Sequence, residues 1–299
     1  MSRHVLGATL YIPAIRPNLA ATLADEDLGL RSAVVCLEDS VGDADLDVAR
    51  GAFAAFVANH QPNGICRVYA RPRDQAMLAW MLGLEGIENI DGFVLPKVTT
   101  QNISAWLELV MKSGHAIMPT IEGEEAFDIA ALQVLRAQLL PFLRQVDAIR
   151  IGGNDILNIL GARRSRYRTA YDGPLGQVIR DFAATFIPAG FAVSSPVFEH
   201  FGAPDVLAEE IERDLEHGIM TKTAIHPEQV RQIQAAYRPS VADLADARRI
   251  LDENALAVFG SDGSMCEPAT HRSWAANIVA RAQAFGLESH ENITPIMVA

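Results

Sequence analysis

A (β/α)8 barrel with a helical C-terminal extension is the α/β architecture that this sequence predicts, on three observations. Eight short apolar runs recur between residues 6 and 221, each about as long as a strand buried on both faces. Stretches with helical spacing separate them, the alternation that builds parallel sheets. The alternation stops near Pro227, beyond which helical segments follow one another. An open doubly wound sheet is the rival arrangement. No GxGxxG turn follows an early strand, which weakens its dinucleotide-binding form.

In chain order the strand candidates are 6–12, 33–37, 65–70, 92–95, 116–121, 148–151, 191–194 and 218–221. Helical spacing is clearest over 46–58, 76–84, 103–112 and 125–143. After the barrel come helical segments at 227–236, 241–257 and 268–285. The glycine-punctuated stretch from Phe259 to Met265 between the last two reads as a loop or a short hairpin. The expected organisation is therefore a barrel domain over 1–230 and an extension over 231–299, a lid or subunit contact too small to stand as an independent domain.

Composition narrows the function. Of 299 residues 49% are hydrophobic, too many for a disordered chain. Lysine and arginine number 25 against 37 acidic residues, a net charge of −12, which argues against nucleic-acid or anionic-membrane partners. Cys36, Cys66 and Cys266 lie far apart without CxxC spacing and suit a reducing compartment. The N-terminus, charged at Arg3 and His4, shows no signal-peptide pattern, and no apolar run is long enough for a membrane helix. A cytoplasmic protein is expected.

In such a barrel the chemistry sits at the C-terminal ends of the strands, so polar residues that close apolar runs are the first candidates. Five runs end this way, in Glu38-Asp39, Arg71-Pro72-Arg73, Pro96-Lys97, Glu122 and Gly152-Gly153-Asn154-Asp155. Carboxylates gathered in one cavity repel each other and are costly to desolvate unless a cation sits among them. One or two carboxylates completed by substrate and water describe a Mg2+ site. Glu122 and Asp155 are the expected ligands, and Glu38 and Asp39 would hold waters or orient them. The competing reading has these acids cap helices or pair with the basic residues. Arg71 suits a substrate carboxylate, whereas Arg73 reads as a solvated loop charge. Lys97 reads more readily as an ion pair than as a Schiff-base lysine. His226, before Pro227, reads as a turn anchor rather than a base, and Cys36 and Cys66 as small core residues.

The same strand ends carry a resemblance. In order along the chain stand Leu10-Tyr11-Ile12-Pro13 with Arg16-Pro17, Leu37-Glu38-Asp39-Ser40-Val41, Ala70-Arg71-Pro72-Arg73 and Val94-Leu95-Pro96-Lys97-Val98. Met118-Pro119-Thr120-Ile121-Glu122, Gly152-Gly153-Asn154-Asp155-Ile156-Leu157, Lys222-Thr223-Ala224-Ile225-His226-Pro227 and Asp262-Gly263-Ser264-Met265 follow. The set resembles the HpcH/HpaI aldolase and citrate lyase β-subunit superfamily, and especially its citrate-lyase-β-like carbon–carbon bond lyases. That resemblance implies a TIM barrel, a Mg2+ cofactor bound by Glu122 and Asp155, and an oxo-acid or acyl-CoA substrate gripped by Arg71. Arg16, Lys97, Gly153 and Pro196 complete the substrate contacts it suggests. It also implies a homo-oligomer, trimeric or hexameric, in which an acidic residue after a Gly-x-Met motif reaches a neighbouring subunit's site. Glu267 falls at that position, one methylene longer than the family's aspartate, so the expected catalytic set is Arg71, Asp39 and Glu267.

Two further departures stand out. Arg73 replaces a common asparagine, and the basic run from Arg163 to Arg168 reads either as a contact for a CoA phosphate or as a solvated loop. The expected reaction is cleavage or formation of a hydroxy-acyl thioester through an enolate. A class II pyruvate aldolase and a partner-dependent, non-catalytic subunit are the alternatives.

Overall fold

The structure is a computed structural model and describes residues 6–288. Arg3 and His4 lie outside the described residues, as does the end of the expected 231–299 extension. Residues 6–233 form one compact unit, and 234–288 are the described part of a second.

The first unit is a closed barrel of eight parallel strands: β1 (Gly7–Pro13), β2 (Ser32–Cys36), β3 (Arg67–Arg71), β4 (Gly92–Leu95), β5 (Ala116–Ile121), β6 (Ile149–Ile151), β7 (Val193–Ser195) and β8 (Thr221–Ala224). Each strand pairs with the next, and β8 returns to β1 through the Gly7–Thr221 register. The helices of this unit are α1 (Leu19–Leu23), α2 (Leu46–Asn59), α3 (Gln75–Met81), α4 (Ile103–Val110), α5 (Ile129–Leu139), α6 (Gly153–Ile159), α7 (Pro174–Phe186), α8 (Pro204–Glu216) and α9 (Pro227–Ala236). The expected barrel is thus the one observed. No helix among the described residues is long and apolar enough to cross a membrane.

Alternation along each strand decides what enters the barrel, because successive side chains point to opposite faces. Val34, Tyr69, Val94, Met118 and Ala148 meet in a buried interior cluster. Two residues on along the same strands stand Cys36, Arg71, Thr120 and Arg150, and two further on Glu38, Glu122 and Gly152. The apolar plug therefore gives way to polar groups toward the strands' C-terminal ends.

Several boundaries shift by one or two residues. The helix expected over 241–257 ends at Leu251, where Asp252 turns extended. Two further differences have a clear local reason. The expected continuous helix over 125–143 is interrupted, because the extended Asp128 accepts the Ala130 N–H at 2.8 Å and starts α5 anew. The eighth strand begins at Thr221 rather than at residue 218. Gly218, at φ 75°, closes α8 in the left-handed conformation, and the next N–H, of Ile219, returns to the Asp214 carbonyl.

In the second unit, α10 (Val241–Leu251) packs Leu244, Ala247 and Ile250 against Cys266, Ala275 and Ile278, the last two from α11 (Pro268–Phe285). Between these helices β9 (Phe259–Ser261) and β10 (Ser264–Cys266) form an antiparallel hairpin. Asp262 and Gly263, both at positive φ, make its two-residue turn.

Candidate active site

The strand ends converge on an ion cluster built around Arg71, at the end of β3. Its Nη2 lies 3.0 Å from Glu38 Oε2, 3.1 Å from Glu122 Oε1 and 3.6 Å from Asp39 Oδ2. All three contacts fall on one nitrogen, and the buried Nε has no hydrogen-bond partner. Lys97 closes the other side, with Nζ 2.9 Å from Glu38 Oε1 and its N–H donating to Glu122 Oε1 at 2.8 Å. That N–H is aimed by an unusual backbone, since Lys97 has φ 49°, a left-handed conformation costly for a side-chain-bearing residue.

These contacts set the charges. Burial pushes the Glu122 carboxyl up to about 7; Arg71 pulls it back, and the charge of Asp155 pushes it up again. Burial also raises Glu38, and a hydrogen bond shared with Asp39 adds to this. Burial acts on Asp39 in the same sense, but that hydrogen bond and the charges of Arg71 and Lys97 bring it below the ordinary range. Lys97 is raised by its hydrogen bond to Glu38, so it stays an ammonium ion.

A cavity of about 310 Å3 opens over the cluster, lined by Asp39, Arg71, Glu122, Gly153 and Asp155, with Tyr11, Thr120, Arg150 and Thr223 deeper in. Asp155 lies in the first turn of α6 and, unlike Glu122, has no ion-pair partner among the described residues. Among those residues no group of three or more His, Cys, Asp or Glu is placed to hold a metal. A cation here would therefore rest on Glu122 and Asp155, with its other positions left to water and ligand. The donor chemistry fits a hard divalent ion, whose charge would offset the burial, and the repulsion from Asp155, that lift Glu122.

The remaining candidates fall in different places. Gly153 is buried at the start of α6, and a Cβ there would come within 2.7 Å of Pro196 Cβ, so these two residues are packed together. Arg16 is exposed in the turn after β1 and does not line this cavity. Glu267 belongs to the second unit, immediately before α11, where its Oε2 accepts from Thr270 at 3.2 Å. Arg73 is not the solvated charge expected of it: it binds Asp43 and the Leu37 and Val41 carbonyls, tying down the loop that carries Glu38 and Asp39. His226 stacks on Phe201 and accepts the Glu228 N–H at 3.2 Å, as a turn anchor does.

Gly152 has an ordinary φ of −83°. A Cβ there would nevertheless stand 2.2 Å from Glu122 Oε2 and 2.4 Å from Glu122 Cβ. Gly152→Ala should therefore displace Glu122 at a cost of about 1–3 kcal/mol. The expected result is a folded protein, by circular dichroism, with ligand or metal binding weakened at least about tenfold. Unchanged binding would show that Glu122 does not need this position.

Sequence reasoning missed a second buried ion cluster. Lys222, on the outer face of β8, is fully buried and contacts Glu210 Oε1 at 2.7 Å, Asp214 Oδ2 at 3.0 Å and Ser195 Oγ at 3.0 Å. Arg164 meets Glu210 from the loop after α6 and donates to the Val197 carbonyl at 2.9 Å. The basic run is therefore not uniform, since Arg163 pairs with Glu199 while Arg164 is buried. Only the acidic residues' 3.6-residue spacing on α8 could have signalled partners beneath that helix.

Comparison with known proteins decides the family. The chain matches the C–C bond lyases of the TIM-barrel fold over residues 1–287. It belongs to that family. The resemblance carried by the strand-end motifs is thereby borne out. A citrate lyase subunit β-like protein of Mycobacterium tuberculosis is 26% identical over 265 residues, 86% of this chain and 89% of the relative. Among solved structures, a citrate lyase from Burkholderia xenovorans has a TM-score of 0.73 at 18% identity, covering 98% of this family member and 96% of that chain. CitE of M. tuberculosis, crystallised with magnesium, acetoacetate and coenzyme A, has a TM-score of 0.70 at 22% identity, covering 94% and 100%. At these identities the structures show the shared fold.

Proposed function

We propose that this family member is a Mg2+-dependent carbon–carbon lyase that cleaves or forms a hydroxy-acyl thioester of the malyl-, citramalyl- or citryl-CoA kind. The observation that carries the reading is the meeting, at one barrel end, of Arg71 and Glu122 with Asp155 beside the same cavity. The magnesium, oxo-acid and coenzyme A bound by M. tuberculosis CitE agree with it.

In this reading Glu122 and Asp155 hold the cation, while Glu38 and Asp39 fix waters and keep Arg71 in place. Magnesium, when bound, supplies Lewis-acid polarisation of the oxo-acid carbonyl. Arg71, already oriented by three carboxylates, offsets negative charge that develops on the substrate oxygens, with no reorganisation needed at that moment. As the bond breaks, the hydroxyl proton must leave, and the enolate carbon must gain one. Asp39, held ionised and half exposed, is placed to accept a proton in the cavity. Glu267 is the other acid–base candidate, acting at the site of a neighbouring copy in the expected homo-oligomer. Residues 1–230 would then carry the chemistry, with 231–299 as the accessory extension.

The test is an assay of malyl-, citramalyl- and citryl-CoA cleavage with added Mg2+. Cleavage of at least one is expected, abolished by a chelator and restored by the ion. No cleavage of any, with the metal bound, would sink the thioester reading. Exchange of pyruvate methyl protons without coenzyme A would then favour a pyruvate aldolase.

A further inference from the structure

Beneath the ion cluster lies a cation that has no acid. Arg150, on β6, is 2% exposed and lines the floor of the cavity. Its side chain donates to Thr223 Oγ1 and to the sulfur of Met118 at 3.5 Å, lies 5.1 Å from the centre of the Tyr11 ring, and shares a hydrogen bond with that phenol. These acceptors are neutral, and the thioether is a weak one, against five N–H donors. No carboxylate of the described residues lies within 4 Å of it. Arg71, a charge of the same sign, repels it. Burying an unpaired charge is expensive, and proteins ordinarily pair every such group.

A second observation points the same way. Thr120, 4% exposed on β5, lines the same floor, and its Oγ1 has no hydrogen-bond partner. Thr120 and Arg150 are register partners on adjacent strands. A guanidinium without a carboxylate and a hydroxyl without a partner thus line one cavity, with the Tyr11 hydroxyl and Thr223 beside them. Burial raises the Tyr11 phenol, so it stays neutral. The donors present match a single carboxylate, which would supply the missing charge and accept from both Arg150 and Thr120.

We propose that Arg150, with Thr120, forms a subsite for a second carboxylate of the substrate, distinct from the oxo-acid group assigned to Arg71. This rests on the proposed function for the identity of the first group, and it narrows the substrate to one whose oxo-acid half is dicarboxylic. Arg150 then determines specificity rather than the bond-breaking step.

The probes are L-lactate and L-malate, stable hydroxy-acids that differ by one carboxylate, titrated calorimetrically into the full-length protein with Mg2+. The wild type should bind malate about 10- to 100-fold more tightly, the range expected of one charge-assisted hydrogen-bonded pair. Arg150→Met should bring malate to within about twofold of lactate while leaving lactate unchanged, because the loss removes one ligand contact. Its thermal midpoint should not fall, since an unpaired buried charge has been removed. Equal binding of the two acids by the wild type, or an equal loss of both in Arg150→Met, would overturn the proposal.

Should that variant fail to fold, the near-isosteric Thr120→Val takes its place. A selective loss of malate affinity supports the subsite, and an unchanged malate-to-lactate ratio overturns it. Failure of the proposed reaction is separable. A protein without thioester cleavage that keeps the preference sinks the reaction and leaves the subsite, whereas an active lyase without the preference does the reverse.

Discussion

Replacing Lys222 with methionine should destabilise the barrel by about 3–5 kcal/mol, the usual cost of removing one partner from a buried ion pair. The reason lies in what would remain. Glu210 and Asp214 are both fully buried, and Lys222 Nζ touches each of them. Burial alone would raise both carboxyls; the charges of Lys222 and Arg164 nevertheless bring Glu210 below the ordinary range, whereas Asp214 stays raised. Without the ammonium ion, Asp214 keeps only hydroxyl donors, from Ser195 at 2.7 Å and Tyr171 at 2.8 Å. Glu210 keeps Arg164 and the Ala170 N–H. The cluster joins β7, β8, α8 and the loop after α6, so its loss should lower cooperativity as well as the midpoint. Urea unfolding followed by circular dichroism reads both. A cost below about 1 kcal/mol would mean that the cluster contributes no more than a surface pair.

Glu122→Gln carries the largest expected effect on activity. Glutamine is nearly isosteric, so it can still accept from Arg71 and from the Lys97 N–H, but it brings no charge to a cation. Groups that merely orient a metal ligand are worth about 10- to 100-fold in metal affinity, so loss of the ligand itself should cost at least about 100-fold. Titration with Mn2+, followed by electron paramagnetic resonance, measures this without any substrate. Glu124→Gln, at an exposed neighbouring position, is the control and should change nothing. Equal metal affinity in the wild type and Glu122→Gln would move the cation elsewhere.

Much of the barrel could be read from the chain. Strands buried on both faces leave unbroken apolar runs, so β4 and β5 appear at their observed limits, and α9 and α11 likewise. Two of the boundary differences fall where one residue overrides periodicity, as Asp128 does by capping and Gly218 by its left-handed turn. At the site, the polar closure of a strand exposed Glu38, Arg71, Lys97, Glu122 and Asp155, because such residues interrupt a run at its end. Arg150 escaped notice for the opposite reason: it lies inside a strand, between two isoleucines, where a charge reads as an outward-facing interruption. Lys222 escaped because its partners are on a helix that follows a different strand. Pairing between distant segments leaves no local signal, and only the closed barrel brings them together.

Along β5 and β6 the inward positions form rungs two residues apart. The upper rung holds Glu122 and Gly152, the lower one Thr120 and Arg150. On the proposed reading, a residue assigned to the metal and a pair assigned to the second carboxylate occupy successive rungs of the same two strands. On that reading, exchanging the lower rung would change which acid is accepted while the upper rung is left intact. That spacing would then let selectivity drift without rebuilding the chemistry above it.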